Sequence, residues 1–229
     1  SLEQSVGAGS VIDAALANAR AIAIREQKYA GIRFQQDVQG NQYLTFIVHD
    51  PAATQKANGF RAVENKKPMA LPEAMGVISC RVQKSYADDE TKKDATKDED
   101  LYVKGKVNPA ASDPYLNSDV RMNDAATFSI IFNASGKFVL HGVRVCSSGT
   151  YDKIFNSAVE VKAGRSMFQR DESETVAQDG FQEETSVGSF IVYDRKELAK
   201  TSANSRWSGL FSRLTIESIN TYTGELSKK

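Results

Sequence analysis

The chain has 229 residues, 41% hydrophobic and 25% charged, with 29 basic and 29 acidic side chains and a formal net charge of +0. That balance excludes an electrostatic drive toward nucleic acid or an anionic membrane surface, and two cysteines are too few for a disulfide scaffold or a four-ligand zinc site. No stretch approaches the ~20 consecutive apolar residues of a membrane-spanning helix, and the first ten residues lack the basic start and apolar run of a secretory signal.

The first nine residues, from Ser1 to Gly9, read as a flexible entry lying downstream of an absent hydrophobic segment. The first predicted element is a helix over 10–27, with Ser10 as N-cap and Asp13 as the return arm of a capping box. Ile12, Leu16, Ala19 and Ala23 fall at helical spacing, joined by Ala15 and Ile22, so this stripe must be buried. The opposite side carries Ala14, Ala17 and Ala21. Small residues there let another backbone approach closely, although alanine also serves plain helix propensity.

After Gln27 the hydrophobic period changes from 3.6 to 2. Residues 29–37 and 42–50, joined around Gly40 and Asn41, read as a β-hairpin. Shorter strands are expected at 60–63, 67–71 and 76–82, their turn-punctuated spacing arguing an antiparallel meander rather than βαβ units. The segment 87–100 contains no side chain larger than alanine that could enter a core, and it reads as a solvated acidic insertion. It lacks the spacing and glycine of a Ca²⁺-binding loop.

Order resumes with a predicted hairpin, 127–133 and 137–146, turning at Ala134 to Gly136. A second acidic stretch, 170–184, reads as another surface insertion. A strand at 188–194, short helical pieces at 195–200 and 205–213, and a last strand at 214–222 complete the list. The expectation is one α+β domain over 1–229, a helix covering one face of an antiparallel sheet.

The search for chemistry returns little. Cys80 and Cys146 each end an apolar strand, and both readings, two buried thiols or a disulfide, stay open. The two histidines, His49 and His141, show neither metal-ligand spacing nor a triad context. No phosphate-binding loop is present, and no cofactor or metal is expected. Arg20, Arg25, Lys28 and Arg33 cluster without interleaved aromatics, which fits a solvated, salt-bridged face better than nucleic-acid contact.

The helix residues Ala15, Ala19, Arg20, Ile22 and Arg25, running directly into a hairpin, together with the later Phe132 and Gly136 in a hairpin turn, carry a family likeness. In these the chain resembles type IV pilin-like proteins, particularly the minor pseudopilins of the type II secretion system. The likeness covers about half of the chain; the family's early glutamate and processing site would lie upstream of Ser1. It implies a non-catalytic filament subunit processed by a prepilin peptidase, with other pilin-like subunits as partners. It also implies an anchor in the inner membrane through a missing N-terminal helix, with the β domain in the periplasm or on an extracellular filament. Ile12, Leu16, Ala19 and Ala23 would be the filament-packing residues. The competing expectations are a secreted or periplasmic glycan- or protein-binding module, with Tyr115, Tyr151, Trp207 and Tyr222 as its platform, and an enzyme of unrecognised type.

Overall fold

The computed structural model describes residues 2–36, 40–54, 57–63, 66–82, 99–100, 102–103, 106–107, 116–117, 119, 122, 125–145 and 184–228. Helix α1 spans Leu2–Glu26. Strands follow in chain order: β1 (Ala30–Gln36), β2 (Gln42–His49), β3 (Gly59–Ala62), β4 (Met69–Ala70), β5 (Met75–Ser79), β6 (Arg81–Val82), β7 (Glu99–Asp100), β8 (Tyr102–Val103) and β9 (Lys106–Val107). Then come β10 (Phe128–Phe132), β11 (Phe138–Val139), β12 (Gly142–Val145), β13 (Glu184–Thr185), β14 (Ser189–Asp194), β15 (Ile216–Ile219) and β16 (Leu226–Lys228). The predicted helical pieces near the C-terminus are present at Arg195–Lys200 and Arg206–Gly209.

The helix starts eight residues earlier than the Ser10 capping box implies. Gly7 and Gly9 each cost about 1 kcal/mol in a helix interior, yet both are helical. Ala8 is fully buried one turn before the fully buried Ile12, so tertiary packing extends the element past its local stop signals. The other end agrees with expectation. Gln27 takes a left-handed φ of 53°, its side chain donates to the Ile24 carbonyl at 2.7 Å, and Lys28 N–H closes onto the Ala23 carbonyl at 3.2 Å.

The α+β class holds, but the strands form two main sheets, and the larger one is mixed. Its order is β11-β10-β1-β2-β3-β12-β13, with β4 alongside β2. The antiparallel expectation fails at β12, which pairs parallel with β3 through Arg144–Gly59 and Val145–Phe60. The predicted 137–146 strand is broken: Phe138–Val139 pairs with β10 at one edge, and two residues later Gly142–Val145 lies near the opposite edge. The three steps from Val139 to Gly142 reach at most about 11 Å, less than the width of the strands between those edges. The sheet is therefore curled, with Leu140 and His141 bridging its edges. Ser186 stitches this seam, donating from its hydroxyl to the Val139 carbonyl and accepting from His141 N–H, both at 2.9 Å.

The smaller sheet, β16-β15-β14-β5, is antiparallel. Helix α1 contacts β1, β2 and β10 of the large sheet and β14 and β5 of the small one. Gln42 joins the two sheets: its buried side-chain amide donates to the Val77 carbonyl at 2.9 Å and accepts from Val77 N–H, as a neighbouring strand would. Beyond the small sheet a second core gathers Trp207, Phe211, Tyr193, Ile191 and Ile78. Gly76 is required there, because a Cβ on it would lie 2.3 Å from the Tyr193 ring carbon that bears the hydroxyl.

Alternation along the strands gives the large sheet two different faces. Ile32, Phe34, Leu44, Phe46, Phe128 and Phe132 share a core with α1. The other face is ordered in cross-strand rows: His49 beside Tyr29, then Ile47–Gly31–Ile131, then Thr45–Arg33–Ser129. Ile47, Ile131, Phe60 and Val143 form a separate core inside the curl. Next to it Arg33 is 2% exposed, and its Nη1 donates to Glu184 Oε2 at 2.8 Å and Ser129 Oγ at 3.3 Å.

Both acidic insertions need correction at their ends. Glu99–Asp100 pairs with Arg81–Val82 rather than lying in a loop. Glu184, expected on the surface, is a buried strand residue. Its charge is matched by Arg33, 151 positions away. Residues 87–98 and 170–183 lie outside the described residues.

Candidate functional site

The stripe predicted to be buried is buried. Ile12, Leu16, Ala19 and Ala23 are each at most 1% exposed and belong to the core shared with both sheets, as do Ala15 and Ile22. They are therefore not accessible to a neighbouring subunit in this conformation, and the assignment of these four to intersubunit packing is corrected. The accessible side of the helix is Asp13, Ala14, Ala17, Asn18, Ala21, Ile24 and Arg25.

This outer side is the wall of an open groove of about 610 Å³, lined by Asp13, Ala17, Arg20, Ala21 and Ile24 on α1 and by Thr223 to Leu226 opposite. Two turns hold the groove in place. Asn133 Oδ1 accepts from Ser135 N, Ser135 Oγ and Lys137 N, and Gly136 adopts a left-handed φ of 76°. Asn220 Oδ1 accepts from Tyr222 N and Thr223 N in the second turn, where Gly224 takes a φ of 71°.

Arg20 ties both turns to the helix. Its Nε donates to the Gly136 carbonyl at 2.9 Å and its Nη2 to the Tyr222 carbonyl at 3.5 Å. The φ of 76° at Gly136 is one that residues other than glycine rarely adopt, and a Cβ there would also have to displace Ile24 Cδ1 from 2.7 Å. Arg20 and Gly136, both picked out in the sequence, thus meet across 116 positions. The chain also leaves Ile24 (43%) and Tyr222 (72%) exposed beside the groove, and Lys137 Nζ sits 5.4 Å from the Tyr222 ring centre. The groove walls carry two carboxylates, Asp13 and Glu225, against the guanidinium of Arg20.

Of the aromatics expected to form a ligand platform, Trp207 is 2% exposed in the second core while Tyr222 is exposed, so those two do not form one surface. Tyr115 and Tyr151 lie outside the described residues. Cys80 is buried; Cys146, and with it the pairing question, lies outside the described residues. The cationic cluster does not share one face either, since Arg33 is inside the curl while Arg25 is at the surface paired with Glu26 at 2.8 Å.

What the sequence did not announce is a ring cluster at the seam. His49 and His141 have centroids 5.9 Å apart, with Tyr29 4.1 Å from His141 and Phe60 within 5.3 and 5.8 Å of the two imidazoles. Spacing along the chain could not reveal this, because 92 residues separate the pair. Among the described residues no group of three or more His, Cys, Asp or Glu side chains is placed to hold a metal. Burial pushes the Tyr193 phenol up to about 12, with partial relief from Arg195 and Arg206.

Among the described residues no helix is long and apolar enough to cross a membrane. No family model, curated protein sequence or solved structure matches this chain.

Proposed function

We propose that this chain is a non-catalytic, pilin-like structural subunit that packs against other copies or related subunits through the outer face of α1. The observation that carries the reading is the division of labour on that helix. Its bulky stripe is consumed by the molecule's own core, while Ala14, Ala17 and Ala21 face outward, the last two lining a groove. Small residues on an exposed helix face allow interaxial approach at the short end of the usual 8–10 Å range. Ile24, exposed at one end of the groove, adds an apolar contact. The reading places the domain outside the inner membrane of a cell envelope, tethered by an apolar segment upstream of Ser1, on a pilus or a secretion pseudopilus.

The test is to place Ala17→Arg and Ala21→Arg in the full-length protein in its native host. Both positions are exposed, so thermal unfolding of the domain should be unchanged within about 0.5 kcal/mol. Filament assembly, followed by shearing and immunoblotting, should be lost. Normal assembly with both arginines present would overturn the interface.

A further inference from the structure

The seam cluster does more than close the curled sheet: we infer that His49 and His141 together form an open site for one first-row divalent cation that favours imidazole. The protonation pattern comes first. His49 Nε2 lies 2.8 Å from the Ala57 carbonyl oxygen and His141 Nδ1 lies 2.5 Å from the Gly142 carbonyl oxygen. A carbonyl only accepts, so each of these nitrogens carries the hydrogen. In the neutral rings the lone pairs therefore sit on His49 Nδ1 and His141 Nε2. An imidazole whose second N–H is held by a backbone carbonyl has the outer-shell arrangement usual for a metal ligand, which fixes the tautomer and the ring orientation.

Distance comes second. With metal–nitrogen bonds of about 2.0–2.1 Å, two imidazoles that turn their free nitrogens to one ion have centroids about 4.5 Å apart at a ligand angle of about 90°, about 5.2 Å at the tetrahedral angle and about 6.4 Å when opposite each other. The observed separation is 5.9 Å with the rings at 67°, within about 0.7 Å of the tetrahedral and about 0.5 Å of the opposed arrangement. The surroundings come third. Fully buried Phe60 and half-buried Tyr29 wall the pair, and both histidines are themselves half-buried, so the imidazoles keep contact with solvent. No third His, Cys, Asp or Glu joins them among the described residues, so water would complete the shell and the ion would exchange. Two imidazoles plus water suit Cu(II), Ni(II) and Zn(II), with Cu(II) the tightest in the usual order.

The experiment titrates Cu(II) into the full chain against a competing chelator, using the unaltered protein, His49→Gln, His141→Gln and the double variant. One equivalent should bind the unaltered protein, each single substitution should weaken it at least tenfold, and the double should weaken it little further. Either single variant keeping full affinity, or a double variant binding like the parent, overturns the site. Because a substitution in the ring cluster can loosen the seam, the electron paramagnetic resonance spectrum of the unaltered protein with one Cu(II) is read as well. Couplings from two imidazole nitrogens are expected. A spectrum with one nitrogen or none refutes the pairing whatever the variants do.

Discussion

Removing Glu184 should be among the more damaging single changes in this protein, and restoring stability should require removing Arg33 too. The two charges are 2.8 Å apart with side chains only 2% and 3% exposed. At an effective dielectric of about 20 their attraction is about 6 kcal/mol. Desolvation of two ions offsets most of that, several kcal/mol each. The pair is thus near break-even as a pair but costly to break, since Glu184→Leu takes the carboxylate at 2.8 Å away from a buried guanidinium. The expected loss is about 3–5 kcal/mol, and Arg33→Met with Glu184→Leu should return to within about 1 kcal/mol of the parent. In a chain of this length the single change lowers Tm by about 6–20 °C. The assay is a double-mutant cycle by equilibrium denaturation, with the denaturant slope checked for two-state behaviour. Two single variants each costing under about 1 kcal/mol and adding without coupling would refute the reasoning, because they would show the pair to be solvated.

Leu16→Asp puts a charge into the core that α1 shares with both sheets and should cost several kcal/mol, read as a fall in Tm; an unchanged Tm would sink the packing described for that helix. Tyr193 gives a pH signature. Its folded pKa, about 12, lies above the unfolded value near 10, so its contribution is complete below pH 10 and is lost as pH rises through 12. Two pKa units correspond to about 3 kcal/mol, and Tyr193→Phe should unfold with a correspondingly flatter dependence between pH 10 and 12. Equal slopes in the two proteins would show that the phenol is not buried as described.

The reach of the sequence follows from the range of the forces involved. Helical spacing is a property of neighbouring residues, so the buried stripe of Ile12, Leu16, Ala19 and Ala23 could be read directly. The same holds for the stop at Gln27, the first hairpin and the turn at Ala134 to Gly136, each set by local torsion and alternation. The start of α1 is not legible because the Ser10 capping box reports only on its own neighbours, whereas Ala8 packs into a core whose other members lie far along the chain. Glu184 was misread for a related reason: acidic neighbours predict solvation, and one counterion far along the chain reverses it.

By itself, then, the sequence determined which residues of α1 turn inward, where the chain changes from helix to strand, and where it must bend. Tertiary structure alone decided that the large sheet curls, that β12 runs parallel to β3, and that Arg33 meets Glu184. It also decided that His49 meets His141 and that the outer face of α1 borders a groove closed by residues 223–226. Each of these depends on segments brought together across roughly 80 to 210 positions. The order in which strands assemble around a core leaves no periodic trace along the chain, because it is chosen by the total surface buried and not by any residue's neighbours.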